Sequence, residues 1–326
     1  MRAVLCRAFG PFERLALAEL PSPPITPETV RVAVHSVGVN FADLLIVQGK
    51  YQEKPALPFS PGFEIAGVVT ELGPSVAGLM PGQRVFGIMD HGAYADEAVL
   101  PAARVYPIPD SMDFAIAAGF PVAYGTSHGA LDWRARLKPG ETLLVLGAAG
   151  GVGLTAVEIG KAMGATVIAV ASGPEKLAVA RAQGADHLID YSREDLRGRI
   201  KELTDGRGPD VIYDPVGGDA FDQCLRSIAW GGRIIVIGFA SGRIPQIPAN
   251  LLLVKNCDAI GFYWGSYRAR APALVRRSFE TLLGWFAAGK LRPHVSHRIP
   301  LAEAGRAMAL LAERKATGKV VLTTGR

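Results

Sequence analysis

Leu143-Leu144-Val145-Leu146-Gly147-Ala148-Ala149-Gly150-Gly151-Val152-Gly153 decides how the second half of this chain folds. The apolar run ending at Leu146 reads as a short buried strand, Thr142–Leu146, and the pattern after the glycines carries a helix to Met163. Gly147, Gly150 and Gly153 therefore sit three apart in a turn from strand into helix. That context gives a glycine pattern its meaning as a dinucleotide fingerprint. Glycine permits the tight turn and lets the backbone approach a pyrophosphate, which then rests on the helix's exposed N–H groups and positive dipole end.

Outward from this turn the same rhythm repeats. Strand Thr166–Ala171, helix Pro174–Gln183, strand His187–Ile189, helix Arg193–Leu203, strand Val211–Asp214, a helix near Asp219–Ser227 and strand Arg233–Gly238 follow in order. Such alternation predicts an α/β unit, a doubly wound parallel sheet with helices on both faces. Upstream, Val30, Val32 and Val34 alternate with Arg31, Ala33 and His35, the period of a half-buried strand. Further strands are expected at Ile65–Glu71, Arg84–Ile88 and Ala93–Leu100, with turns at Pro61-Gly62, Gly73-Pro74 and Pro81-Gly82. Downstream come two amphipathic helices, Ala271–Ala288 and Ala302–Lys315, and a last strand, Lys319–Leu322. The expected division is 1–119, a β-rich domain; 120–259, the inserted parallel-sheet domain; and 260–326, which completes the first.

Which dinucleotide binds depends on the end of the strand after the glycine turn. An NAD site places an acid there for the ribose 2′-hydroxyl, about 20 residues beyond the first glycine. Here the strand ends Ala169-Val170-Ala171-Ser172-Gly173, without a carboxylate. Lys176 follows on the next helix, and Tyr191 closes the stretch of the third strand. A small hydroxyl residue and a cation suit a 2′-phosphate, so the expected cofactor is NADPH.

Composition excludes several classes. Hydrophobic residues make up 49% of the 326, too many for a disordered chain. Lys and Arg total 35 against 30 Asp and Glu, a net charge of +5, with no run of five like charges, so nucleic acid is not an expected partner. The most apolar stretch without a charge, Thr142–Val157, is too short and too broken by glycine to span a membrane. Met1-Arg2-Ala3-Val4-Leu5 has no apolar core of a leader peptide, and a cytoplasmic protein is expected. Cys6, Cys224 and Cys257 are scattered, as are the six histidines, so neither a disulfide framework nor a metal site is expected.

These residues resemble the zinc-free quinone oxidoreductase (zeta-crystallin-like) branch of the medium-chain dehydrogenase/reductase family. The resemblance is carried by Val39-Asn40-Phe41-Ala42-Asp43, Gly49-Lys50-Tyr51, Pro61-Gly62-Phe63-Glu64-Ile65-Ala66-Gly67, Gly147–Gly153, Asp214-Pro215-Val216-Gly217-Gly218 and Gly318-Lys319-Val320-Val321-Leu322. It implies a GroES-like β domain interrupted by a Rossmann domain. It also implies cofactor contacts from Thr126, Ala149, Gly150, Gly151, Val152, Ser172, Gly173, Lys176, Tyr191, Gly238, Phe262, Trp264 and Lys319. Where the family's zinc branch has a catalytic histidine after the glycine of its Gly-His-Glu motif, this chain has Phe63.

Without a metal, hydride must pass to an acceptor that is already electrophilic. Quinones and α,β-unsaturated carbonyls qualify, because hydrogen-bond donors can hold the charge developing on their oxygen. The resemblance implies that Asn40 and Tyr51 face the nicotinamide, with Tyr51 as donor or proton source. Asp43 is expected to cap a helix or pair with a cation. Two rivals accompany this expectation: an enoyl- or acrylyl-CoA reductase using Tyr51 as acid, and an NADPH-dependent RNA-binding or crystallin-like structural protein. The family implies a homodimer or tetramer.

Overall fold

The computed structural model describes residues 1–326, and its chain divides into two units, Met1–Val122 with Pro293–Arg326, and Ala123–Arg292. In the first, β1 (Arg2–Leu5) and β2 (Ala16–Glu19) form an antiparallel pair. The spine of its larger sheet is β3 (Thr29–Val39). Val30, Val32 and Val34 point into the core, as their alternation requires. A bulge between Val34 and Ser36 then moves the core-facing set from even to odd positions, and Val37 and Val39 join the same cluster. Helix α1 (Phe41–Val47) leads to β4 (Glu64–Leu72), β5 (Arg84–Ile88), β6 (Glu97–Pro101), β7 (Val105–Pro107) and helix α2 (Phe114–Ala118). The strand expected from Ala93 starts only at Glu97. Before it, Ala93–Asp96 bonds to the first strand instead, with Val4 N–H donating to Tyr94 O at 2.8 Å and Asp96 N–H to Arg2 O at 2.9 Å.

The second unit begins inside helix α3 (Pro121–His128), which continues as a π-helical segment, Gly129–Arg134. Then β8 (Thr142–Leu146), α4 (Gly151–Ala162), β9 (Thr166–Ala171), α5 (Pro174–Ala182), β10 (His187–Asp190), α6 (Leu196–Leu203), β11 (Val211–Asp214), α7 (Gly218–Ser227), β12 (Arg233–Val236), α8 (Ala249–Lys255) and β13 (Asp258–Gly261) follow. All six strands are parallel, in the order β10-β9-β8-β11-β12-β13. This is the doubly wound order of dinucleotide folds, reversing direction between β8 and β11. Helices α9 (Tyr267–Arg270) and α10 (Pro272–Ala287) also belong here, so this unit runs well past the expected boundary at 259. Before them β13 adds the sixth strand, and α10 sets Phe279 edge-on to Trp264 and Ser278 Oγ 2.8 Å from His128 Nδ1.

The chain returns to the first unit with β14 (Val295–Pro300), α11 (Ala304–Ala312) and β15 (Lys319–Thr323). β15 pairs antiparallel with β3 and parallel with β14, so one sheet is built from both ends of the chain. A buried ion pair fixes that junction. Lys319 Nζ donates to Glu64 Oε1 at 2.8 Å, Asn40 Oδ1 at 2.7 Å and Val39 O at 3.0 Å, and Lys319 and Glu64 are 5% and 0% exposed. No helix of the chain is long and apolar enough to cross a membrane.

Replacing Lys319 with Met would leave the Glu64 carboxylate buried without its cation. Removing one partner of a buried pair costs about 3–5 kcal/mol. The K319M variant should therefore unfold at markedly lower urea concentration than the parent. An unchanged midpoint would show that the pair contributes nothing to stability.

Candidate functional site

The turn after β8 has the geometry that its glycines predict. Gly147 adopts φ +58°, and Gly150 N–H donates to Gly147 O at 2.9 Å, closing the loop back on itself. Leu154 N–H is the first in α4 to find a helical partner, Gly150 O at 2.8 Å. The N–H groups of Gly151, Val152 and Gly153 precede it and have no acceptor in the chain, which leaves three donors at the positive end of a helix for an anion. A Cβ on Gly153 would lie 2.1 Å from Gly147 O, so only glycine lets α4 seat this closely against the turn.

The turns after β11 and β12 converge on the same end of the sheet. Asp214, the last residue of β11, is fully buried and accepts from Val216 N–H at 2.7 Å and Gly217 N–H at 2.9 Å. Burial pushes its carboxyl up to about 6, against the pull of these two donors. Gly238 N–H reaches Asp214 O at 3.4 Å, and a Cβ on Gly147 would lie 3.1 Å from Val216. Residues at 147–153, 214–218 and 238 thus form one rim at the switch point of the sheet, where open α/β folds bind their ligands.

On the other side of β8, β9 ends at Ala171-Ser172-Gly173, with Gly173 at φ +80° and Lys176 half-buried in the first turn of α5. No acid follows on β9 itself, but Asp190 on the neighbouring strand stands in register with Ala171. Its Oδ1 accepts from Gly173 N–H at 3.1 Å and from both Ser192 N–H (3.1 Å) and Ser192 Oγ (2.5 Å). The Ser192 hydroxyl, then the Gly173 amide, hold this carboxyl below the usual range. Tyr191 is exposed, with its N–H on Ala171 O at 3.3 Å. Reading along the sequence misses Asp190 because its place beside Ala171 arises from the pairing of β9 with β10.

Three other predicted residues are packed within this unit. Thr126 is buried in α3. Phe262 and Trp264 are also buried, and they lie against glycines of the preceding helix. A Cβ on Gly125 would meet Trp264 at 2.6 Å, and one on Gly129 would meet Phe262 at 2.7 Å. Nearby, the Tyr124 hydroxyl donates to Glu158 Oε2, while Glu158 Oε1 accepts from Arg292 N–H at 2.6 Å.

In the first unit, Asn40 and Lys319 come together and hold each other. Asn40 Nδ2 donates to Glu64 Oε1 at 2.8 Å while its Oδ1 accepts from Lys319. Asp43 takes part in capping α1 as the third helical residue of a capping box whose cap is Asn40, its Oδ2 accepting Asn40 N–H at 2.7 Å and the Tyr94 hydroxyl at 3.2 Å. Tyr51 is half-buried, its ring tilted 5.7 Å from that of Phe63, which is buried. No group of three or more His, Cys, Asp or Glu side chains is placed to hold a metal ion.

Two family models match the chain: an alcohol dehydrogenase GroES-like domain over residues 26–110 and a zinc-binding dehydrogenase over 151–284. A quinone oxidoreductase-like protein 2 homolog of Nematostella vectensis is 47% identical, the match covering 99% of this chain and 89% of that protein. Among solved structures, Escherichia coli quinone oxidoreductase complexed with NADPH superposes with a TM-score of 0.93 at 28% identity, covering 99% of this chain and 100% of that one. A structure described as an NAD-dependent alcohol dehydrogenase superposes at 0.92, with 32% identity and full coverage of both chains.

Glu158 offers a test of the buried polar framework around the turn. Burial pushes its carboxyl from an ordinary 4.5 to about 7, although Tyr124 and Arg292 donate to it. A carboxyl raised on folding adds stability that is complete below about pH 4 and is lost as pH rises through about 7. Relative to Glu158→Gln, which cannot titrate, the parent should lose about 3 kcal/mol between those limits. Denaturation curves of both proteins across that range check this, and a constant difference would mean that Glu158 titrates normally.

Proposed function

This chain belongs to the quinone oxidoreductase family of medium-chain dehydrogenases/reductases, and from that premise we propose that it is a zinc-independent, NADPH-dependent reductase of quinones or α,β-unsaturated carbonyls. The observation that carries this reading is the Gly147–Gly153 turn, with three unpaired amides at the switch point of the parallel sheet. Bound NADPH supplies a hydride. The residues of the chain do the rest. Gly151, Val152 and Gly153 N–H hold the pyrophosphate, with Ala149, Gly150 and Gly238 leaving the backbone close to it. Ser172, Gly173, Lys176 and Tyr191 receive the 2′-phosphate.

The preference for NADPH rests on residues of this chain, since its structural neighbours are described with either dinucleotide. Ala171 stands where an NAD site has its acid, and Oδ1 of Asp190, its partner in register, already accepts three hydrogen bonds. The zinc-free reading rests on Phe63 in place of a histidine and on the lack of any other ligand group. Tyr51 is the proposed donor to the substrate oxygen, since a phenol can stabilise an enolate or quinol oxygen and deliver its proton. Asn40, held between Glu64 and Lys319, is a positioning residue in this scheme, and Thr126, Phe262 and Trp264 shape the nicotinamide end. Three free, buried cysteines fit a reducing compartment, the cytoplasm.

A screen of NADPH oxidation over quinones, enals and enoyl-CoA thioesters, with and without EDTA, tests the reading. Quinones and enals should react, EDTA should change nothing, and Tyr51→Phe should slow enal reduction by about 10²-fold and quinone reduction less. Turnover confined to CoA thioesters would favour an enoyl-CoA reductase. Absence of any turnover, with RNA retained on a filter in a salt-dependent way, would favour a binding protein.

The proposed assembly is a homodimer. β13 is an outer strand of its sheet, and Trp230, Leu253 and Val254 are 76%, 77% and 69% exposed in the same unit. Light scattering should give twice the chain mass, falling to the monomer in L253D/V254D. A monomeric parent would remove the proposal.

A further inference from the structure

Asp190 couples two turns that share one task in the reading above. Its Oδ1 is the common acceptor for Gly173 N–H, at the end of β9, and for Ser192 N–H and Oγ, just past β10. Tyr191 N–H adds a bond to Ala171 O at 3.3 Å, and Asp190 O accepts from Arg193 N–H at 3.0 Å and Glu194 N–H at 2.9 Å. Asp190 N–H is itself held by Glu194 Oε1 at 2.7 Å. Oδ2 lies 3.9 Å from the Arg193 guanidinium, and the residue is 7% exposed. Ser172, Gly173, Lys176 and Tyr191 all lie on or next to the two turns that this carboxylate joins.

Gly173 has φ +80°, a conformation that favours glycine. Its N–H donates to Asp190 Oδ1 at 3.1 Å, and its O accepts from Leu177 N–H at 3.3 Å at the start of α5. Asp190 is in register with Ala171, which stands where an NAD site has its acid, yet its Oδ1 already accepts from main-chain and serine donors.

We propose that Asp190 is a specificity-determining positioning residue. It fixes the turns 171–173 and 190–194 at the spacing that receives a 2′-phosphate, and it commits its Oδ1 to main-chain and serine donors rather than to a ribose 2′-hydroxyl. The proposal rests on the NADPH reading and is tested separately from it. It concerns the choice between NADPH and NADH, not the hydride acceptor.

Titration calorimetry on the full chain with adenosine 2′,5′-bisphosphate and adenosine 5′-monophosphate reads binding without turnover. The parent should bind the bisphosphate at least about tenfold more tightly. Asp190→Ala should reduce that advantage to about threefold or less while 5′-monophosphate binding moves less than about twofold. Asp190→Asn keeps an acceptor at Oδ1 and should restore most of the preference, and Ser192→Ala should fall between. A parent with no preference overturns the NADPH reading and this inference together. A parent that discriminates, with Asp190→Ala discriminating equally or weakening both ligands alike, overturns the inference alone. Should Asp190→Ala fail to fold, Ser192→Ala decides, and an unchanged preference there overturns it.

Discussion

One buried charge pair, Lys319 with Glu64, closes the split unit. The first 122 residues and the last 34 must make a single sheet although the whole second unit lies between them in sequence. Burying an ammonium and a carboxylate is costly unless every donor and acceptor is matched. Here the three hydrogens of Nζ meet Val39 O, Asn40 Oδ1 and Glu64 Oε1, while the other Glu64 oxygen takes Val122 N–H at 2.8 Å. One carboxylate thus fixes the final strand, the start of α1 and the last residue before the chain leaves the unit. β3 makes room for it with Gly38, where a Cβ would lie 2.2 Å from Glu64 Oε1.

The second unit repeats the device. Glu158 on α4 receives the Tyr124 hydroxyl, one residue past the entry at Ala123, and the N–H of Arg292, the last residue before the exit. Each unit therefore places a buried glutamate where the chain crosses its boundary. A loose crossover would let the register of β15 against β3, or the seat of α4 against its turn, drift. Both are fixed by groups whose loss would leave a buried carboxylate poorly matched.

Much of the fold is legible in the sequence because local pattern and tertiary environment agree. Thr142–Leu146, Thr166–Ala171 and Val211–Asp214 are strands buried on both faces, and their continuous apolar runs announce them. The elements that escape lack that signal. α8 packs Leu251 and Leu252 on the core but leaves the adjoining Leu253 and Val254 exposed, so its apolar run has no helical period, and β13 is a four-residue edge strand. Around α2, Phe114-Ala115-Ile116-Ala117-Ala118-Gly119-Phe120 is apolar on all sides and has no helical period to detect. The site divides in the same way. The glycines announce their turn because the steric demand is local, whereas Asn40 and Lys319 look like binding residues until their mutual bonds are seen.

The aspartates flanking the glycine turn show why residue type alone does not reveal such roles. Asp214 and Asp190 each end a strand, and each accepts main-chain N–H groups from the turn that follows or lies beside it. Asp214 is sealed in the core with only amides for company, and desolvation outweighs them, raising its carboxyl to about 6. Asp190 adds a serine hydroxyl and a nearby guanidinium, and its carboxyl is held low. The balance of burial against donors, set by which strands are neighbours, leaves a firmly anionic group on the β9–β10 side and a weakly acidic one beside the pyrophosphate turn. Both aspartates thus shape the loops that receive the ligand through main-chain N–H groups, and beside the anionic Asp190 it is Lys176, in the first turn of α5, that supplies a cation for a 2′-phosphate.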